Sequence, residues 1–360
     1  MHLNHLWLTD FRNYRSVELS PAPAGLTVVL GSNGEGKTNL LEAIAYLATL
    51  RSFRGSPDEA LVRVGADRAV VRLDAHRGQR ALLIEAEIQS VGRGRVQVNR
   101  QPLRRTRDLL GALQVSVFGP DDLALVKAGP QGRRDYLDDL LVALHPRHDA
   151  ARSELDRILR QRNALLKQAA GNPRPPQDVV TTLDVWDQKL AATGTAVADA
   201  REALVDRIGP AVAVSYDQVA DRAANIAVCY RRSWEGELSS ALAAARLDDL
   251  RRAVTTVGPH RDELSLTIGE LPSRTHASQG EQRSLALALR LAGHKVVAET
   301  LESSPVLLLD DVFSELDPER SEALLGALPV GQVLLTSAGA LPPQAQPQVV
   351  VRVEDGKILP

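Results

Sequence analysis

The chain has 360 residues, 43 basic and 45 acidic side chains and a formal net charge of −2; this excludes a uniformly basic nucleic-acid binder but not a local basic patch. A hydrophobic content of 44% is that of a globular protein with room for two lobes, not of a disordered chain. The single cysteine, Cys229, excludes an internal disulfide and a cysteine zinc site, and no run reaches the ~18 apolar residues that a membrane span needs. A cytoplasmic protein is expected.

In chain order, residues 3 to 8 alternate loosely as a strand and lead into Phe11-Arg12-Asn13-Tyr14. Arg12 or Asn13 is placed to reach a ligand at the loop that follows; an equal alternative is a turn between two strands in which Phe11 and Tyr14 pack. Leu26 to Leu30 is a β-branched and leucine run that predicts a buried strand. It is followed by Gly31-Ser32-Asn33-Gly34-Glu35-Gly36-Lys37-Thr38, and then by helical spacing from Asn39 to Ile44. Strand, glycine loop and helix in that order suit a phosphate: backbone N–H groups point into the loop, the glycines allow close approach, and the helix N-terminus adds partial positive charge. Lys37 is expected to reach β- and γ-phosphates and the Thr38 hydroxyl to ligate Mg²⁺.

Arg51 and Arg54 flank Ser52-Phe53 at the exit of the predicted helix. From Ala69 to Asn99 the hydrophobic period changes to two, with turns at Gly92-Arg93-Gly94 and Asn99-Arg100-Gln101-Pro102, which predicts an antiparallel meander. Its turns carry Arg93, Arg95, Arg100, Arg104, Arg105 and Arg107, a candidate surface for a phosphate backbone, although turns are polar in any case.

Beyond Asp122 the pattern is helical. Leu155, Ile158, Leu159, Leu165 and Leu166 form one stripe; Leu183, Trp186, Leu190, Val197, Leu204 and Ile208 form another. Gly171 to Pro176 breaks any helix between them. The expectation is an antiparallel helical hairpin about 30 Å long, with Trp186 in its core and Arg160, Arg162 and Lys167 toward the tip, on a solvated face by default and with a DNA grip as the lesser alternative. Arg133 and Arg134 at its base are open between a structural and a DNA-contacting role. The predicted division is 1–122 for the first part of a head, 123–255 for the arm and 256–360 for the second part of the head.

In the last part, Gly258-Pro259-His260-Arg261-Asp262 precedes a strand at Glu263 to Ile268, and His260 is given no catalytic role. Ala277-Ser278-Gln279-Gly280-Glu281-Gln282-Arg283 opens an apolar helix. Ser278 and Glu281 fit a capping box, and Ser278, Gly280 and the helix N-terminus also fit an anion. This phosphate-seeking surface is separate from the one at Gly31, which suggests a nucleotide held between two copies. Val306 to Leu309 predicts an apolar strand that ends in Asp310 and Asp311. A parallel strand turns its C-terminal end to the ligand crevice, so Asp310 is placed to hold Mg²⁺, directly or through water, and Asp311 to orient an attacking water. Ser314 to Asp317 caps the next helix, and Val333 to Ser337 is the last core strand.

These motifs together resemble those of the ABC-type ATPases and, within them, the RecF recombination-repair family, across essentially the whole chain. Phe11 to Tyr14, Gly31 to Ile44, Ser52 to Arg54, Gly258 to Asp262, Ala277 to Arg283 and Leu307 to Asp317 carry the resemblance. It implies an α/β head with a mixed, mainly parallel core sheet, an antiparallel β-subdomain and an inserted, mostly helical arm. It also implies ATP and Mg²⁺ as cofactors, and a homodimer in which Ser278 of one copy meets the γ-phosphate bound at Lys37 of the other. Further implications are binding to gapped DNA or duplex–single-strand junctions and work with RecO and RecR in loading a recombinase. Asp311 stands where transporter ATPases carry Glu, one methylene longer, so slow hydrolysis suited to a switch is expected. The histidine often found after the last core strand is replaced by Thr336-Ser337, and Gln114 is not assigned as the glutamine that such ATPases carry near the metal. Two rival readings are an ATPase coupled to a membrane transporter and a structural DNA-bridging protein.

Overall fold

The computed structural model describes residues 1–170, 176–220 and 223–359, and of Glu315 the backbone only. The chain forms two compact units, one of residues 1–123, 214–223 and 279–360, the other of residues 124–213 and 224–278.

The first unit is built on two six-stranded sheets. In one, Gly25–Leu30 lies between Gln332–Ser337 and Val349–Glu354, with Val306–Asp310 and then Val115–Phe118 beyond Gln332–Ser337. All of these pair in parallel, and only the edge strand Lys357–Leu359 runs antiparallel. Continuous apolar runs such as Val306-Leu307-Leu308-Leu309, buried throughout, are what a sheet covered on both faces requires. Lys37–Thr49 packs one face through Leu40, Leu41, Ile44 and Leu47; the other face packs Leu287 and Leu291 of the helix Gln279–Leu301 and Leu324 of Pro318–Ala327.

The second sheet is antiparallel and contains more than the meander expected from residues 69–99. His2–Phe11 pairs with both Tyr14–Leu19 and Arg68–Arg77, so the first two strands of the chain complete it. Its inner face shares a core with the phosphate-loop helix, and Phe11 and Tyr14 are fully buried there. Gln332, 1% exposed, ties the two sheets together. Its amide accepts from the N–H of Leu3 at 2.7 Å and donates to the carbonyls of Leu3 and Ala22 at 2.9 and 2.6 Å.

The two expected helices pack as an antiparallel pair, but the second, Gln177–Ala220, has 44 residues, about 66 Å at 1.5 Å per residue, and is about twice the expected length. Leu155 and Ile158 of Arg147–Ala169 cluster with Leu190 and Val197 of Gln177–Ala220; nearer the turn Leu166 and Ala169 meet Val179 and Leu183. The breaker residues 171–175 lie outside the described residues. Trp186 packs at the edge of this core, half-buried, between the cations of Arg157 and Lys189. Arg162 departs from expectation: it is fully buried, donating to Asp187 and Asp249 at 2.6 Å each and to Thr255 at 2.9 Å. Period alone placed it beside a solvated face, but Asp249 is itself fully buried and needs a countercharge.

The boundary near residue 255 also moves. The strand Glu263–Ile268 pairs antiparallel with Ile226–Arg231, and Arg133 donates to both Glu263 oxygens at 2.7 and 3.0 Å. Residues 256–278 therefore fold with the helical unit, not with the second part of the head. Arg133 and Arg134 are structural, the latter donating to the carbonyl of Asp262. His260 is half-buried, with its ring against the carbonyl of Thr255, and desolvation holds its pKa down to about 4, which keeps the ring neutral.

Replacing Gln332 by Leu leaves three buried backbone groups without this partner. A loss of about 3 kcal/mol is expected, read as a lower denaturant midpoint with an unchanged slope.

Candidate nucleotide site

Parallel pairing sets Leu30, Asp310 and Ser337 at the same end of neighbouring strands, since Leu30 is in register with Ser337 and Asp310 with Thr336. The phosphate loop leaves the sheet at this end, in the position that open α/β sheets use for ligands. Gly34 and Gly36 take left-handed backbone angles, φ 90° and 110°. At Gly31 a Cβ would lie 2.5 Å from the carbonyl oxygen of Val353, and at Gly36 one would lie 2.5 Å from the Asn13 amide. These glycines are required by close neighbours as well as by conformation.

The loop is held on three sides by its own unit. Asn13 donates to the carbonyl of Glu35 at 2.8 Å and accepts from Asn39 at 2.8 Å; the Tyr14 hydroxyl donates to the carbonyl of Gly36 at 3.0 Å. The Glu35 carboxylate accepts from the backbone N–H of Asp355 in the C-terminal hairpin. Lys37 donates to the carbonyl of Ser32 at 2.8 Å, curling its ammonium over the loop.

Of the two upstream candidates, Asn13 touches the loop and Arg12 does not. Arg12 makes a bidentate pair with the fully buried Glu42, at 2.8 and 2.6 Å, and also donates to Ser56 and to the carbonyl of Ala60. With its Nε and both terminal nitrogens so engaged, Arg12 joins the turn at residue 12 to the loop at residues 52–60. Ser52 donates to the same Glu42 carboxylate, and Arg54 reaches Asn39 at 3.3 Å. Arg54, which motif position alone left as a helix-exit arginine, is thus near the mouth of the site. Its charge also opposes, in small part, the rise in the Asp310 pKa that burial causes.

Thr38 donates to Asp310 Oδ1 at 2.8 Å. Burial pushes the Asp310 carboxyl above its ordinary pKa, and the hydroxyls of Thr336 and Thr38 pull it back. Asp311 follows in a left-handed conformation, φ 47°, with Oδ1 buried and without a hydrogen-bond partner. A hydroxyl, one or two carboxylates and substrate phosphate oxygens form the hard, oxygen-only set that Mg²⁺ takes. Among the described residues there is no cluster of three or more His, Cys, Asp and Glu that would hold a metal without a substrate. The residues present fit Mg²⁺, with Thr38 and Asp310 as its protein contacts; bound there, the cation would neutralise charge on β- and γ-phosphates.

Ser278 is exposed and immediately precedes the helix Gln279–Leu301. Gly280, in its first turn, lies under the guanidinium of Arg320, where a Cβ would be 2.8 Å from a terminal nitrogen. Arg320 pairs with Asp317, whose carboxylate caps the helix Pro318–Ala327. Gln114 lies at the far end of the sheet: its carbonyl accepts from the N–H of Val306, four residues before Asp310. That is about 13 Å away along a strand, too far for a metal contact.

A family model described as the RecF/RecN/SMC N-terminal domain matches residues 2–334. The DNA replication and repair protein RecF of Frankia alni is 47% identical over 355 residues, which cover 94% of this chain and 93% of the relative. Among solved structures, one described as the recombination mediator protein RecF-ATP in the RecFOR pathway is 28% identical with a TM-score of 0.89, covering 99% of this chain and 97% of that one. An SMC head bound to the C-terminal winged-helix domain of ScpA shares the fold at 15% identity, with a TM-score of 0.60 and coverage of 100% and 97%. With the phosphate loop and paired carboxylates in one crevice and these likenesses over nearly the full length, the chain belongs to the RecF family of DNA replication and repair proteins, within the RecF/RecN/SMC ATPases.

Proposed function

We propose that this protein is an ATP-dependent DNA-binding switch of recombinational repair. Mg·ATP binds at Gly31 to Thr38 and Asp310, and the γ-phosphate supplies the negative charge that Ser278, Gly280 and their helix end seek in a second copy. The closed homodimer holds gapped DNA or a duplex–single-strand junction. Slow hydrolysis, with Asp311 orienting the water, removes the charge and releases it. RecO and RecR are the partners in recombinase loading. The observation that carries this reading is the Thr38–Asp310 contact beside a glycine loop. Its support comes from relatives whose solved structures contain RecF with ATP and from the exposure of Ser278 that a contact in trans requires.

No helix among the described residues is long and apolar enough to cross a membrane; what opposes coupling to a separate membrane partner is the charged surface of the arm. The surface of the helical unit that such a partner would cover carries ion pairs such as Arg157–Glu154 and Arg246–Asp184. For DNA, the arginines at 93, 95, 100, 104 and 105 are all exposed along the edge of the antiparallel sheet formed by Arg95–Val98 and Gln101–Pro102. They offer five cations close together, none of them in an ion pair among the described residues, whereas Arg68, two strands further in than Arg95, is paired with Glu87.

Sedimentation with ATP, with ADP and without nucleotide tests the switch: a dimer is expected with ATP alone. Ser278→Arg is expected to keep ATP binding and lose the dimer, and dimerisation at the wild-type level would remove the contact in trans. Lys37→Met is expected to lose nucleotide binding or hydrolysis. Replacing Arg93, Arg95, Arg100, Arg104 and Arg105 by Glu is expected to flatten the dependence of DNA affinity on salt, each phosphate contact contributing a slope of about 0.9; an unaltered slope assigns DNA to another surface.

A further inference from the structure

Thr336 lies in the central strand Gln332–Ser337, fully buried, in register with Asp310 on one side and Val29 on the other. Its hydroxyl does two things. It donates to Asp310 Oδ1 at 2.7 Å, and it accepts from the backbone N–H of Asp311 at 3.0 Å. The Thr336 carbonyl accepts from the same N–H at 3.2 Å. One residue therefore holds the side chain of the first carboxylate and the backbone of the second.

The directions of these bonds follow from the groups. A hydroxyl has one proton and free lone pairs. The carboxylate can only accept, so the proton goes to Asp310, and the amide of Asp311 can only donate, so it takes a lone pair. No other uncharged side chain of this size supplies both at one atom: valine has neither, and serine has both but lacks the methyl. The left-handed backbone at Asp311 is uncommon outside glycine, although Asp tolerates it better than most residues, and it persists where neighbours fix it. Here the two Thr336 acceptors on its N–H do so. With Asp311 Oδ1 buried and unbonded, that fixed backbone is what aims the second carboxylate.

We infer that Thr336 is a positioning residue for the metal-dependent step: its hydroxyl sets Asp310 to receive the cation held with Thr38 and sets Asp311 to face the reacting phosphate. This rests on the proposed Mg·ATP reading of the site. It assigns a role to the position at which related ATPases often carry a histidine nearby and this chain carries Thr336-Ser337. Thr336 needs no contact with nucleotide to act.

The test is a titration of Mn²⁺ into protein with ATP, followed by the loss of the free-ion paramagnetic signal, together with kcat and KM for hydrolysis. Thr336→Val keeps the shape and removes the hydroxyl. It is expected to weaken Mn²⁺ retention by tenfold or more, the usual effect of losing a group that orients a metal ligand, and to lower kcat with little change in KM for ATP. Thr336→Ser is expected to restore most of both. Should the buried valine prevent folding, judged by thermal unfolding, Thr336→Ala makes the same measurement. Mn²⁺ retention in the valine or alanine variant equal to the wild type overturns the inference, as does a serine variant as impaired as valine, since shape and not the hydroxyl would then matter. If the wild type itself retains no Mn²⁺ with ATP, it is the nucleotide reading that fails.

Discussion

The contact between Thr38 and Asp310 depends on parallel strand order, and most of the first unit exists to make it. These residues are 272 apart in sequence. They meet because Gly25–Leu30 and Val306–Asp310 both flank Gln332–Ser337 and end at the same edge. A slip of one residue in the pairing of Val306–Asp310 would turn Asp310 to the other face of the sheet, and a slip in that of Gly25–Leu30 would displace the phosphate loop from it. The apolar cores on the two faces, with Leu40 and Leu41 on one and Leu287 and Leu324 on the other, fix that register.

Around this contact, the site is held by contacts from three distant parts of the chain. Asn13 and Tyr14 support the phosphate loop from the antiparallel sheet. Glu35 and Gly31 meet the C-terminal hairpin through Asp355 and Val353. Glu42, inside the phosphate-loop helix, collects Arg12 and Ser52. Removing one partner from a buried ion pair leaves an uncompensated charge, so such pairs fix geometry even where they add little net stability. Gln332 performs the equivalent service between the two sheets without charge. The phosphate loop is thus clamped by its own unit, and a ligand would enter a largely preformed cradle.

The helical unit is organised by charges that it hides. Arg162 joins Asp187 and Asp249, and Arg201 makes a bidentate pair with Asp138 at 2.7 and 2.8 Å. The Arg162–Asp249 bond, and a further bond from Arg201 to the carbonyl of Pro259 at 2.8 Å, join the hairpin to residues 249–259 and help to explain why the segment Gly258 to Asp262 folds here. Arg133 and Glu263 add a further bond of the same kind.

How much could be read from residues alone follows from the range of the forces involved. The phosphate loop, the strand that ends in Asp310 and Asp311, the hydrophobic stripes of the hairpin and the period-two strands are local patterns, set by backbone conformation and by the periods of helix and strand. They determined the fold class and pointed to the phosphate loop and the paired carboxylates as the candidate site. The fates of Arg12, Arg162 and Thr336 were decided only by tertiary structure. Each is a polar side chain whose role depends on a partner between 25 and 87 residues away, or across a strand pairing. Periodicity says which way a side chain points but not what charge will be buried beside it. For the same reason residues 256–278 were misassigned from sequence: their strand has an ordinary pattern, and only its hydrogen-bonded neighbour, Ile226–Arg231, tells which unit it completes.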